Sequence, residues 1–125
     1  MINGFEKETH DLSQYEISAL VPQVVEILIN KIGKQNSITN DRIREIINQH
    51  KVILTNSRLR KIIHYIRIKG LVKCLIATNI GYYISNDVEE FMGYIDSLTQ
   101  RENSIRSIRY ALLEQHVEVF NDIND

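Results

Sequence analysis

The chain has 125 residues, 43% hydrophobic and 25% charged, with one Pro, five Gly and a formal net charge of −1. That length suits one core with an extension, and the composition excludes a collagen-like, low-complexity or disulfide-framework chain. No apolar run approaches the roughly 20 residues a bilayer requires, and the opening MINGFEKETHDLSQ lacks the basic-then-apolar order of a secretory signal, so a cytoplasmic chain with no membrane segment is expected.

Residues 1–12 are polar and aperiodic and read as a flexible N-terminus. Ser13 and Glu16 have capping-box spacing, and from Ile17 apolar residues recur at Leu20, Val21, Val24, Val25, Leu28 and Ile32, which predicts a first helix ending near Gly33. Pro22 falls inside it. A proline suits a first helical turn but not a helix interior, so the chain either kinks there or begins its main helix there. Lys34 to Ser37 is a polar loop, and Ile38 is a candidate for a very short strand. Thr39 or Asn40 then caps a second helix through about Gln49, with Ile43, Ile46 and Ile47 on one face, and His50 to Leu54 turns the chain.

The stretch that follows, TNSRLRKIIHYIRIKG from Thr55 to Gly70, carries the strongest signal. Leu59, Ile62, Ile63 and Ile66 follow the i, i+3, i+4, i+7 pattern of a helix docked on a core. Thr55 can cap the first amides and Gly70 can supply a left-handed stop. The rest of the surface holds Ser57, Arg58, Arg60, Lys61, His64 and Tyr65. Residues 51–73 contain seven Lys and Arg and no acid, nearly half of the chain's 15 bases, whereas residues 74–100 contain four acids and no base. Surface helices ordinarily mix signs, so this segregation predicts an anion-attracting face, as for phosphates, on an otherwise acidic body.

After Gly70 the period shortens. Leu71 to Thr78 and Tyr82 to Ser85 read as two strands around a tight turn at Asn79-Ile80-Gly81. Cys74, the single cysteine, cannot form an internal disulfide, and its apolar flanks predict a small buried hydrophobe in the first strand. Tyr82 and Tyr83 should face opposite sides. Ser85, Asn86 or Asp87 then caps a long helix opening with Val88, Glu89 and Glu90. Phe91, Leu98, Ile105 and Leu112 repeat by sevens, with Ile108 alongside, and predict a seam that needs a partner. The domains read as 13–86, a C-terminal helix over 87–118, and a flexible tail over 119–125.

The order helix, short strand, helix, basic helix, hairpin, together with the run LTNSRLRKIIHYIR, the Lys69-Gly70-Leu71-Val72 exit and the GYYIS strand at Gly81 to Ser85, resembles winged helix-turn-helix domains of bacterial and phage DNA-binding proteins over about residues 17–86. The resemblance implies a mainly α fold with a small β-hairpin, followed by a long C-terminal helix. It also implies double-stranded DNA binding without catalysis, as in a transcription regulator or an accessory factor. The hairpin tip, Thr78-Asn79-Ile80-Gly81, carries no Lys or Arg for a groove.

With the N-terminus of the basic helix in a major groove, the candidates for base edges are Asn56, Ser57, Arg58, Lys61 and His64. Asn40, Arg42, Lys51, Arg60, Arg67, Lys69 and Lys73 are placed for phosphates. Leu98, Ile105, Ile108 and Leu112 are the candidates for homodimerisation, and an acidic protein is the alternative partner for the cationic face. His10, His50, His64 and His116 have no metal-ligand spacing, so neither a metal nor a cofactor is expected. No phosphate loop, dinucleotide fingerprint or nucleophile elbow occurs.

Overall fold

The first helix opens on a reciprocal capping box. The Ser13 backbone N–H donates to Glu16 Oε1 at 2.9 Å, and the Glu16 N–H donates to Ser13 Oγ at 3.1 Å, so two otherwise orphaned amides are satisfied at once. The computed structural model describes residues 11–49 and 53–124, and the chain divides into two units between Asp87 and Val88. Each unit is described by itself.

In the first unit a π-helical segment, Glu16–Leu20, runs directly into α1, Val21–Leu28. The Val21 N–H bonds the Glu16 carbonyl five residues back, and Pro22 lies in the first turn of α1. The wide turn answers the question Pro22 poses. A proline has no N–H to donate and its ring crowds the carbonyl four residues before it, and an added residue in the preceding turn removes both conflicts without ending the helix. The helix stops at Leu28, short of Gly33. Ile32, expected on its apolar face, instead bridges Ile84, and the backbone pairs there through Gly33 N–H to Ile84 O at 2.9 Å and Ile84 N–H to Lys31 O at 2.7 Å.

A 3₁₀ turn, Lys34–Asn36, leads to Ile38, which makes the expected short pairing: Ile38 and Tyr82 exchange backbone hydrogen bonds of 2.9 and 2.8 Å. Thr39 caps α2, Asn40–Asn48, with Oγ1 accepting from the Arg42 N–H. Ile43 and Ile47 are buried beneath it. Thr55 caps α3, Asn56–Lys69, by the same bond to the Arg58 N–H at 3.2 Å. At its far end Gly70 takes φ 68°, and the Leu71 N–H closes back on the Ile66 carbonyl at 3.0 Å.

Strands β1, Leu75–Thr78, and β2, Gly81–Ile84, pair antiparallel with Leu75 opposite Ile84 and Thr78 opposite Gly81. Tyr82 packs at the edge of the main core, while Tyr83 is buried on the opposite face beside its cross-strand neighbour Ile76. The core itself is built from Val24 and Leu28 of α1, Ile43 and Ile47 of α2, and all four stripe residues of α3, joined by Leu54, Val72 and Leu75. Three helices followed by a hairpin are compatible with a winged-helix-like architecture.

Two expectations fail around the hairpin entry. The first strand begins at Leu75, because residues 71–74 form a turn, and Cys74 is exposed there with φ 60°. The reason is the pairing across the hairpin: the Cys74 carbonyl accepts from the Ser85 N–H at 3.0 Å while Cys74 itself takes φ 60° at the end of the turn, with its side chain exposed. A native-state thiol reagent is expected to label Cys74 at a rate close to that of a free thiol, with no lag for unfolding. Protection of tenfold or more in a stopped assay would contradict the exposed turn.

The second unit is one helix, α4, Val88–Asn124. It opens with Glu89 and Glu90 in its first turn, as their charge favours, and it continues past the expected end at residue 118. Among the described residues no helix is long and apolar enough to cross a membrane.

Candidate nucleic-acid interface

Helix α3 turns its stripe inward so completely that Leu59, Ile62 and Ile66 have no measurable exposure. The remaining surface divides by angle. At 100° per residue Arg60 and Arg67 fall on the flank towards the hairpin, Ser57, Lys61 and His64 on the outermost line, and Arg58, Tyr65 and Lys69 on the other flank.

The hairpin flank is the best organised. A cleft lined by Asn40, Asn56, Arg60, Thr78, Asn79 and Tyr82 runs between the start of α2, the start of α3 and the tip of the hairpin. The Tyr82 hydroxyl donates to Asn40 Oδ1 at 2.6 Å. Burial pushes the Tyr82 phenol above its usual value, against the opposing pull of the Arg60 and Arg67 charges, which places both guanidinium groups within electrostatic reach of this ring. Asn56 Oδ1 is buried in the same region without a hydrogen-bond partner. Burying an unsatisfied amide oxygen costs about 1 to 3 kcal/mol, so this atom is a local weak point at the start of α3.

Arg58, expected among the base readers, is engaged within the fold. Its Nε donates to Glu16 Oε2 at 2.8 Å and its Nη2 to Glu16 Oε1 at 2.6 Å, with the two side chains only 14% and 12% exposed. Nη2 also donates to the Asp11 carbonyl. The same carboxylate caps the first helix, so Glu16 ties the start of that helix to the start of α3. This two-pronged guanidinium–carboxylate pair occupies the Nε and Nη2 donors of Arg58. Sequence spacing places Arg58 in the first turn of α3, but not against a partner 42 residues away.

The Arg58 hydrogen bond, helped by the Ser13 amide, holds the Glu16 carboxyl below its ordinary value, although burial opposes this. The folded state therefore gains stability from this group above the unfolded carboxylate range, and loses it as pH falls through that range towards the folded value. Glu16→Gln is expected to lower stability at pH 7 by about 2 kcal/mol, and the deficit should shrink below about pH 4. Thermal melts at pH 7 and pH 3 check this; an equal deficit at both would assign the loss to packing.

The other candidates are distributed as follows. Arg60, His64, Lys69 and Lys73 are exposed, while Asn40, Asn56, Ser57, Lys61 and Arg67 are half-buried. Arg42 is exposed and pairs with Glu45 at 3.4 Å. Lys69 lies over the Tyr65 ring at 5.9 Å. Lys51 lies outside the described residues. Sequence reasoning missed Arg44, whose Nε donates to the Leu54 carbonyl at 2.8 Å, and Asn48, whose Oδ1 accepts from the Leu54 N–H at 3.0 Å. Together they hold the end of the turn ahead of α3. It also missed Ile68, 71% exposed on the outward line of α3, which breaks the polar pattern there.

Leu98, Ile105, Ile108 and Leu112 are all exposed on α4. Among the described residues no group of three or more His, Cys, Asp or Glu is placed to hold a metal ion. Comparison with protein-family models, with curated proteins and with solved structures finds no match to this chain.

Proposed function

We propose that the first unit binds double-stranded DNA without catalysis, as a regulator or an accessory factor in DNA metabolism, and that two chains pair through α4. The observation that carries this reading is the composition of α3: a helix with no acid at all, whose inner face is committed to the core and whose remaining surface presents Arg60, Lys61, His64 and Arg67 beside a polar cleft. Ser57, Lys61, His64 and Asn56 are the residues for base edges. Arg60, Arg67, Lys69 and Lys73, with Asn40, are those for phosphates, which position the protein without reading sequence. Arg58 is assigned to holding the start of α3.

Four cations on phosphates give a salt slope near −3.6, so affinity for a duplex should fall about 100-fold between roughly 50 and 200 mM salt. Anisotropy titrations with random and selected duplexes at both concentrations test this. Binding to neither duplex at the lower concentration would end the DNA reading. The second reading, an acidic protein partner, is favoured by Ile68, because an exposed aliphatic side chain at the C-terminal end of the outward face suits a protein surface with apolar content. It predicts a shallower salt dependence and no affinity for random duplex.

A further inference from the structure

Helix α4 carries two opposite charges inside its apolar stripe. Glu102 lies four residues after Leu98 and three before Ile105, and Arg109 lies four after Ile105 and four before Leu113, so both fall on the line those residues define. Leu98, Ile105, Leu112, Leu113 and Phe120 are between 37% and 66% exposed. An apolar stripe left this exposed along one helix calls for a partner. Its two embedded charges are opposite in sign, which fits a second copy of the same helix.

The charges decide the direction. In a parallel pair in register every residue meets its own copy, so Glu102 would face Glu102 and Arg109 would face Arg109. In an antiparallel pair centred between Ile105 and Arg106, Glu102 faces the partner's Arg109, and the two-fold axis repeats the pair. The same register sets Leu98 against the partner's Leu113 and Ile95 against the partner's His116, while Ile105 lies beside its own copy at the axis. Leu112 and Leu113 lie on the two edges of the stripe, and Ile108 falls on the flank. Glu102 now bonds Arg106 on its own helix at 3.4 Å, with both side chains more than half exposed, and Arg109 lies over the Tyr110 ring at 4.9 Å. These contacts are weak in water and leave both charges available to a second helix. Arg106 meets its own copy only at the solvent rim, where the repulsion is screened.

We infer that α4 is an antiparallel self-association helix whose direction is set by reciprocal pairing of Glu102 with the partner's Arg109. This rests on the pairing through α4 proposed above, and the test separates the two. On the full chain carrying Cys74→Ser, a spin label at Asn121→Cys lies 31 residues from its copy along the antiparallel pair, about 50 Å with the lateral offset, against about 25 Å or less in a parallel pair. Light scattering should give about 29 kDa, twice the 14.6 kDa chain. Glu102→Arg and Arg109→Glu should each raise the dimer dissociation constant by about tenfold or more, and mixing the two variants should restore it, which also shows that both fold. A dimer with the short distance and two harmless single variants would keep the pairing and overturn the direction. A monomer at tens of micromolar would overturn both.

Discussion

Arg60→Glu together with Lys61→Glu is expected to weaken binding to any duplex by about 1000-fold at 100 mM salt while leaving the melting temperature within a few degrees. Two attractive charges become repulsive on the surface proposed to meet DNA, Arg60 at a phosphate and Lys61 at a base edge, and the lost phosphate contact alone takes nearly one unit from the salt slope. Neither residue belongs to the buried stripe that docks α3 on the core. Arg58→Ala should behave in the opposite way. It leaves Glu16 half-enclosed and unpaired, so stability should drop by about 2 kcal/mol, while the folded fraction binds duplex almost as well as the parent. Anisotropy and thermal melts on the two variants measure both quantities. If Arg58→Ala lost most of its affinity with no loss of stability, the assignment of Arg58 to the Glu16 pair would be wrong.

Gly81→Ala is expected to be the most damaging small substitution in the first unit. The backbone at Gly81 has φ 125°, a conformation side chains rarely adopt, and a β-carbon there would stand 2.5 Å from the Ile38 carbonyl oxygen and 2.7 Å from its carbon. Neither obstacle is a movable side-chain end; both belong to the strand segment that exchanges hydrogen bonds with Tyr82. Strain and overpacking together should cost about 3 kcal/mol, a fall of roughly 15 °C in melting temperature for a domain of this size. Gly70→Ala supplies the control. Its φ is also positive, at 68°, but nothing lies within 4 Å of the added carbon, so the conformational penalty stands alone at about 1 kcal/mol. Equal losses at the two positions would show that the approach of Ile38 is not what matters at Gly81. Because the same pairing places Tyr82 against Asn40, Gly81→Ala should also disturb the cleft beside Arg60.

Much of the first unit was legible from short-range signals. The capping box at Ser13 and Glu16, the Thr55 cap, the Gly70 stop and the inward stripe of α3 each depend on residues within a few positions of one another, and each appears where spacing places it. The hairpin turn at Asn79-Ile80 belongs with them, and the short pairing expected at Ile38 is present as well, although its partner Tyr82 is distant in sequence. Less legible were the boundaries where a local preference meets a longer-range bond. Ile32 continues an apolar period yet leaves the helix to bridge Ile84, and Cys74 has strand-like neighbours yet reverses the chain. The candidate interface divides in the same manner: charge and helical angle identify Arg60, Lys61 and His64, but they say nothing about whether a neighbouring element supplies a carboxylate.

By itself the sequence determined which segments are helical, which face of α3 is buried, and that the middle of the chain concentrates positive charge, because these follow from periodicity, capping and composition along a continuous stretch. Only the tertiary structure decided that Arg58 belongs to Glu16, that Arg44 and Asn48 hold the turn before α3, and that Asn40, Arg60 and Tyr82 share one cleft. Those facts join residues 6 to 42 positions apart, across a turn or between separate elements. The physical reason is range: a backbone conformation is chosen by its near neighbours, whereas the partner of a charge or a buried amide is chosen by whichever element the packing of the core brings beside it.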